Sequence, residues 1–160
     1  MHQRAAALLL AAALAILCRH CAAAEDHPEL TAADQAYSAG RYEQAAALYR
    51  RDAELGIVAA QVNLAFLYLD GQGIPQDYQE AALWFRRAAE QGHGEAQQNL
   101  GQLYQDGKGV EQDYTEADKW FIIAAAKGSS AALEQRMNAN QIGAARRRAA
   151  AWRKQQAPGR

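Results

Sequence analysis

The chain has 160 residues, half of them hydrophobic and 22% charged, and its formal net charge is −1. That length suits one domain behind a leader segment. Its two cysteines, Cys18 and Cys21, both fall near the N-terminus. A processed chain would have none, which excludes structural disulfides, a cysteine nucleophile and a cysteine-based metal site.

Residues 1–24 read as a secretory signal peptide. Met1–Arg4 is a short basic start, Ala5–Leu17 is a continuous apolar run, and Ala22, Ala23 and Ala24 offer small residues for cleavage after Ala24. The run is shorter than the ~20 residues that span a bilayer. Localisation is therefore expected to be periplasmic or secreted, without membrane association after cleavage. Such a compartment also argues against nucleic acid as a partner.

The repeat region is expected over residues 25–132. A partial unit occupies about 31–56. Asp26 and Glu29 flank Pro28 at its helix start, the helix runs to Gly40, and Tyr42, Ala45, Tyr49, Ala53 and Gly56 mark a second helix. A full unit follows over 57–92. Val62, Leu64, Ala65, Leu67 and Tyr68 keep helical spacing, and Asp70-Gly71-Gln72-Gly73 stops that helix. Asp77 and Glu80 form a capping box for the next helix, which carries Trp84, Phe85, Ala88 and Ala89 and ends at Gly92.

Residues 93–128 repeat this pattern thirty-six positions on. Asn63-Leu64 returns as Asn99-Leu100, Tyr68 as Tyr104, Asp70-Gly71 with Gly73 as Asp106-Gly107 with Gly109, and Asp77-Tyr78 as Asp113-Tyr114. Trp84-Phe85 returns as Trp120-Phe121, Ala88-Ala89 as Ala124-Ala125, and Gly92 as Gly128. About half of the aligned positions are identical, at a period typical of repeat arrays. Ala81, Ala88 and Ala96 recur as Ala117, Ala124 and Ala132, small residues that let helices approach while the tryptophans fill wider gaps. The fold class is therefore all-α, an α/α solenoid of antiparallel helix pairs.

Residues 129–156 are expected to form capping helices. Ser129–Met137 begins another first helix, Asn138–Asn140 breaks it, and Gln141–Gln156 places Ile142, Ala145, Ala149 and Trp152 on one stripe. Residues 157–160 read as a frayed tail. Charge divides along the same boundary. Residues 25–128 carry eight basic against seventeen acidic side chains, whereas the stretch from Ser129 onward carries seven against one.

The two full units resemble the Sel1-like repeat (SLR) family, relatives of tetratricopeptide repeats. The pattern Ala-x-x-Asn-Leu-Gly-x-x-Tyr-x-x-Gly-x-Gly-Val-x-x-Asp-Tyr-x-x-Ala-x-x-Trp-x-x-x-Ala-Ala-x-x-Gly is met almost fully by Ala96–Gly128. It is also met by Ala60–Gly92, with Ala65 in place of a glycine. Ala39–Ala45 looks more like a tetratricopeptide hairpin. The resemblance implies a non-catalytic scaffold or adaptor that binds a protein or peptide on its concave face. By the same resemblance that face would carry Asp34, Tyr37, Val62, Asn63, Phe66, Leu69, Gln98, Asn99, Gln102 and Gln105. A disulfide-rich branch of the family is associated with β-lactam binding, so an alternative is binding or hydrolysis of β-lactam or peptidoglycan fragments. That branch has a cysteine pair in each repeat, which this chain lacks.

Other chemistry is thinly represented. The Gly-x-Gly loops follow no strand and lack the Gly-Lys-Ser/Thr of a phosphate loop. Asp106–Asp113 lacks the alternating acidic ligands of a calcium loop. His27 and His93 have no partner at ligand spacing, and the serines have no neighbouring base. No catalytic residue, metal or cofactor is expected. Arg146, Arg147, Arg148 and Arg153 could meet an anionic surface or simply neutralise the acidic array. With so few repeats, weak self-association through an exposed end is also open if Ile142 and Trp152 leave that end uncovered.

Overall fold

The computed structural model describes residues 28–124 and 127–156. The leader segment, its cleavage site, Ala125 and the tail 157–160 lie outside the described residues. Among those described there are eight α-helices: α1 Pro28–Ser38, α2 Tyr42–Glu54, α3 Val58–Asp70, α4 Tyr78–Glu90, α5 Gly94–Asp106, α6 Tyr114–Ile123, α7 Lys127–Glu134 and α8 Ala139–Gln156. From α1 to α7 each helix packs chiefly on its neighbours in the chain, giving a short solenoid of helix pairs.

Local chemistry sets the helix ends. Asp77 caps α4 by accepting from the Gln79 and Glu80 amides at 2.8 and 3.1 Å, and Asp113 does the same for α6 at Thr115 and Glu116. The reciprocal half of each capping box is replaced. The Asp77 and Asp113 amides donate to the carbonyls of Tyr68 and Tyr104, tying each loop back to the helix before it. Gly71 and Gly107 end α3 and α5 in the left-handed conformation, at φ +68° and +67°.

The second glycine of each loop has a different reason. A Cβ on Gly73 would fall 2.3 Å from the Tyr42 carbonyl carbon, and one on Gly109 would fall 2.0 Å from the Tyr78 carbonyl oxygen. Each loop thus presses its backbone onto the first turn of the preceding unit's second helix.

The core has two parts, a large one running from Ala33 to Leu103 and Trp120 and a smaller one at the C-terminal end with Ala117, Phe121, Leu133, Met137 and Ala145, and half-buried Tyr104 packs against both. Leu64, Leu67, Phe85, Leu100 and Phe121 are almost fully buried, with Ala81, Ala88, Ala96 and Ala117 between the helices. Buried Gln61 donates to the Ala53 carbonyl and buried Gln97 to the Ala89 carbonyl, satisfying helix C-terminal acceptors across each junction. On the same junctions Arg50 bonds the Tyr68 hydroxyl at 2.7 Å and Arg86 that of Tyr104 at 2.5 Å.

The alanine pattern does not extend to the last unit. Ala132 is exposed and Ala124 only half-buried, because α8 packs on α6 rather than covering α7. Asn138 does not simply break the chain. It caps α8, its side chain accepting from the Gln141 amide while Gln141 accepts from the Asn138 amide, both at 3.0 Å. Ala145 and Ala149 are fully buried, and Trp152 meets Trp120 edge-on at 6.0 Å between ring centroids.

Candidate functional site

Helices α1, α3 and α5, the first of each pair and the ones expected to form the inner face, share one side of the stack. Two adjoining cavities lie along it. The first, about 440 Å³, is bounded by Asp34, Tyr37 and Ser38 from α1, Asn63, Phe66 and Asp70 from α3, and Tyr49 from α2. The second, about 290 Å³, opens between α3 and α5 and includes Leu69, Asp70, Tyr78, Asn99, Gln102, Asp106 and Lys108. Asp70 lines both, so the cavities are neighbours along one side of the stack, together called the groove.

The first cavity is acidic and aromatic. Tyr49 is buried, and its hydroxyl donates a short bond to Asp34 Oδ1. Burial and then that carboxylate push the Tyr49 phenol well above its ordinary range. It is therefore a fixed proton donor at physiological pH, and it orients Asp34. Tyr37 donates to Gln72 Oε1 at 3.1 Å and meets the ring of Tyr42 edge-on. Phe66 packs edge-on against core Phe85, with centroids 5.1 Å apart, while its other side faces the cavity.

The second cavity is an amide and carboxylate surface. Asn99 donates to the Glu95 carbonyl at 2.9 Å, so part of its polarity braces α5. Gln102 donates to Asp106 at 2.9 Å, and Lys108 lies 3.6 Å from the same carboxylate.

Seven of the ten side chains expected on the inner face therefore line one cavity or the other, namely Asp34, Tyr37, Asn63, Phe66, Leu69, Asn99 and Gln102. Val62 does not. It is 4% exposed and belongs to the core, because α3 is packed by helices on both sides and its buried arc is wider than one stripe. Gln98 is exposed and Gln105 half-buried, and neither lines a cavity. Helical spacing does not point to Tyr49, Asp70 or Asp106: the two aspartates read as helix-ending residues, and Tyr49 stands where the later repeats place core phenylalanines.

The basic stretch is largely engaged within the fold. Arg146 pairs with Glu134 at 2.8 Å, Arg148 with Glu116 at 2.6 Å, and Arg153 donates to the Ile122 carbonyl. Arg147 is exposed on α8. His93 is the N-cap of α5, its Nδ1 accepting from the Ala96 amide. Among the described residues no group of three or more His, Cys, Asp or Glu is placed to hold a metal, and no helix is long and apolar enough to cross a membrane.

Comparison with known proteins agrees with this architecture. The Sel1 repeat family pattern matches residues 58–93 and 94–129. The chain is similar to a crystal structure of a protective antigen, described as displaying an SLR fold, that is present in uropathogenic Escherichia coli strains. The TM-score is 0.74 and the identity 29%, over 82% of this chain and 32% of that one. It is also similar to a Sel1 repeat protein from Oxalobacter formigenes, with a TM-score of 0.56 and 31% identity over 76% of this chain and 55% of that one. The chain thus spans about a third and about half of the lengths of these two proteins. No curated protein matches it significantly.

Proposed function

Because this chain is a Sel1-like repeat protein through residues 58–129, a class that generally mediates protein–protein interaction, we propose that it is a non-catalytic adaptor. It binds a protein or peptide along the inner groove, and it works in the periplasm or outside the cell. The observation that carries this reading is the pair of neighbouring cavities that share Asp70, which places three tyrosines, two phenylalanines, two asparagines and three aspartates along one side of the stack. Extended peptides and partner helices dock on such ridged helical surfaces through a few anchoring contacts. The apolar leader supports the location.

The test uses affinity recovery of tagged protein from its own envelope fraction, with an Asp70→Arg variant alongside. Asp70 is exposed, so the variant should keep its thermal midpoint. A partner held by the parent and lost by Asp70→Arg is the expected result. Equal recovery by both proteins would remove the groove from the interaction. N-terminal sequencing of periplasmic material checks the location, and a start at Glu25 is expected.

A further inference from the structure

We propose that the C-terminal closure holds a second site, separate from the inner groove: a cleft between α7 and α8 that takes a small amphipathic monoanion, an apolar body bearing one carboxylate or sulfonate. In the earlier pairs the two helices pack along each other. Here α7 and α8 each pack mainly on α6 and leave a gap. The gap measures about 530 Å³, larger than either groove cavity and within the ~300–1,000 Å³ common for ligand pockets.

Its lining is mostly apolar. Phe121 and Ile122 of α6 form the floor, and small Ala131 and Ala150 on the facing helices leave the space open. Ser130 also lines it, but its hydroxyl donates to buried Asp118 Oδ1 at 2.6 Å. That hydroxyl's proton is therefore already committed, and the interior suits an apolar body rather than a polar one.

Charge sits at the rim. Arg146 is paired with Glu134. Arg153 spends a donor on the Ile122 carbonyl, and no carboxylate among the described residues forms an ion pair with it. Arg153 is thus, among the described residues, the one cation lining the cleft without a carboxylate partner. An anionic head on Arg153 completes that pairing through charge-assisted bonds, whereas a cationic head would be repelled.

The experiment titrates the full chain with 8-anilinonaphthalene-1-sulfonate and competes the probe with decanoate or decylamine. We expect saturable one-to-one binding, displaced by decanoate at least about tenfold more effectively than by decylamine, equivalent to about 1.4 kcal/mol. Ala150→Trp fills the cleft from an exposed position and should abolish binding. Arg153→Gln should weaken decanoate about tenfold. Asp70→Arg, in the groove, should change nothing. Three results overturn the proposal: no saturable binding, equal competition by decylamine, or unaltered affinity in an Ala150→Trp variant that keeps its circular dichroism and thermal midpoint. Should Ala150→Trp fail to fold, Ala131→Leu fills the same cleft from the opposite wall and is read the same way. Binding to phosphatidylglycerol vesicles that Ala150→Trp leaves intact, with no uptake of decanoate, would also overturn it in favour of a membrane contact.

Discussion

Ala82 and Asp118 occupy the same position in successive repeats, and both are buried, at 2% and 0% exposure. In α4 the position faces another repeat, and a methyl group fits between helices without polar cost. In α6 it faces the closing helices, and the carboxylate needs Ser130 of α7 as a donor while its Oδ2 has no hydrogen-bond partner. The body of the array is thus built by repeating contacts, the apolar ones together with the Gln61–Ala53 and Gln97–Ala89 bonds and the Arg50–Tyr68 and Arg86–Tyr104 bonds, with buried Asp52 of α2 as a single exception. Its end is built from single-use contacts: Asp118 with Ser130, Trp120 with Trp152, and Arg148 with Glu116. Stability should therefore concentrate in the body, and the end should carry the smaller and more condition-dependent terms.

The largest effect expected is in the body. Phe85→Ala removes a fully buried ring that also supports Phe66 and should cost about 4 kcal/mol in chemical denaturation. Trp152→Ala, half-buried at the end, should cost less than half as much. Equal costs would show that the end is as tightly built as the body.

Next come the glycines. Gly109→Ala places a Cβ 2.0 Å from a backbone oxygen in a positive-φ residue and should cost about 3 kcal/mol. Gly92→Ala also sits at positive φ, +90°, but its Cβ would meet nothing within 4 Å, so only the conformational cost of about 1 kcal/mol remains. The contrast separates a junction contact from a simple helix ending, and similar values would refute the close approach at Gly109.

How legible these features are follows from how local their causes are. The helices, the aspartate caps and the first glycine of each loop are written in neighbouring residues, and the period makes them readable twice. The second glycine is constrained by a helix whose contacting tyrosine lies thirty-one residues upstream, so its repetition is visible but its reason is not. Tyr49 is legible as a core position. Its hydroxyl's role is not, because Asp34 comes from another helix. Asp70 and Asp106 serve where a helix ends, and only the stacking of α1, α3 and α5 reveals that they face the groove. Val62 fails in the other direction. A one-stripe reading of α3 assigns it outward, whereas packing from both sides buries it.

A smaller effect of opposite sign is expected at Asp118. Burial raises its pKa above the ordinary carboxylate range, partly offset by the Ser130 bond, with Glu134 raising it and Arg146 lowering it. A carboxyl whose pKa is raised on folding contributes stability that is complete below its unfolded pKa and is lost as pH rises through its folded pKa. Between mildly acidic and neutral pH the parent should therefore lose stability relative to Asp118→Asn. At neutral pH the variant should be more stable by about 1 kcal/mol, and below the unfolded carboxylate range the gain should vanish. Thermal midpoints of both proteins across that range provide the check, and a constant difference would mean that Asp118 stays ionised at no cost.

The smallest effect belongs to the surface pairs of the end. Arg148 reaches Glu116 at 2.6 Å and Asp113 at 3.9 Å, but its side chain is half exposed. Arg148→Ala should therefore cost about 0.5 kcal/mol, with the loss fading as salt rises. Ala145 and Ala149 are fully buried on α8, which packs on α6, so closure should rest on them and on Trp152. If Arg148→Ala instead released α8, seen as rapid amide exchange from Ala145 to Trp152, the end would be held by charge, and the basic stretch would be structural rather than a solvated face.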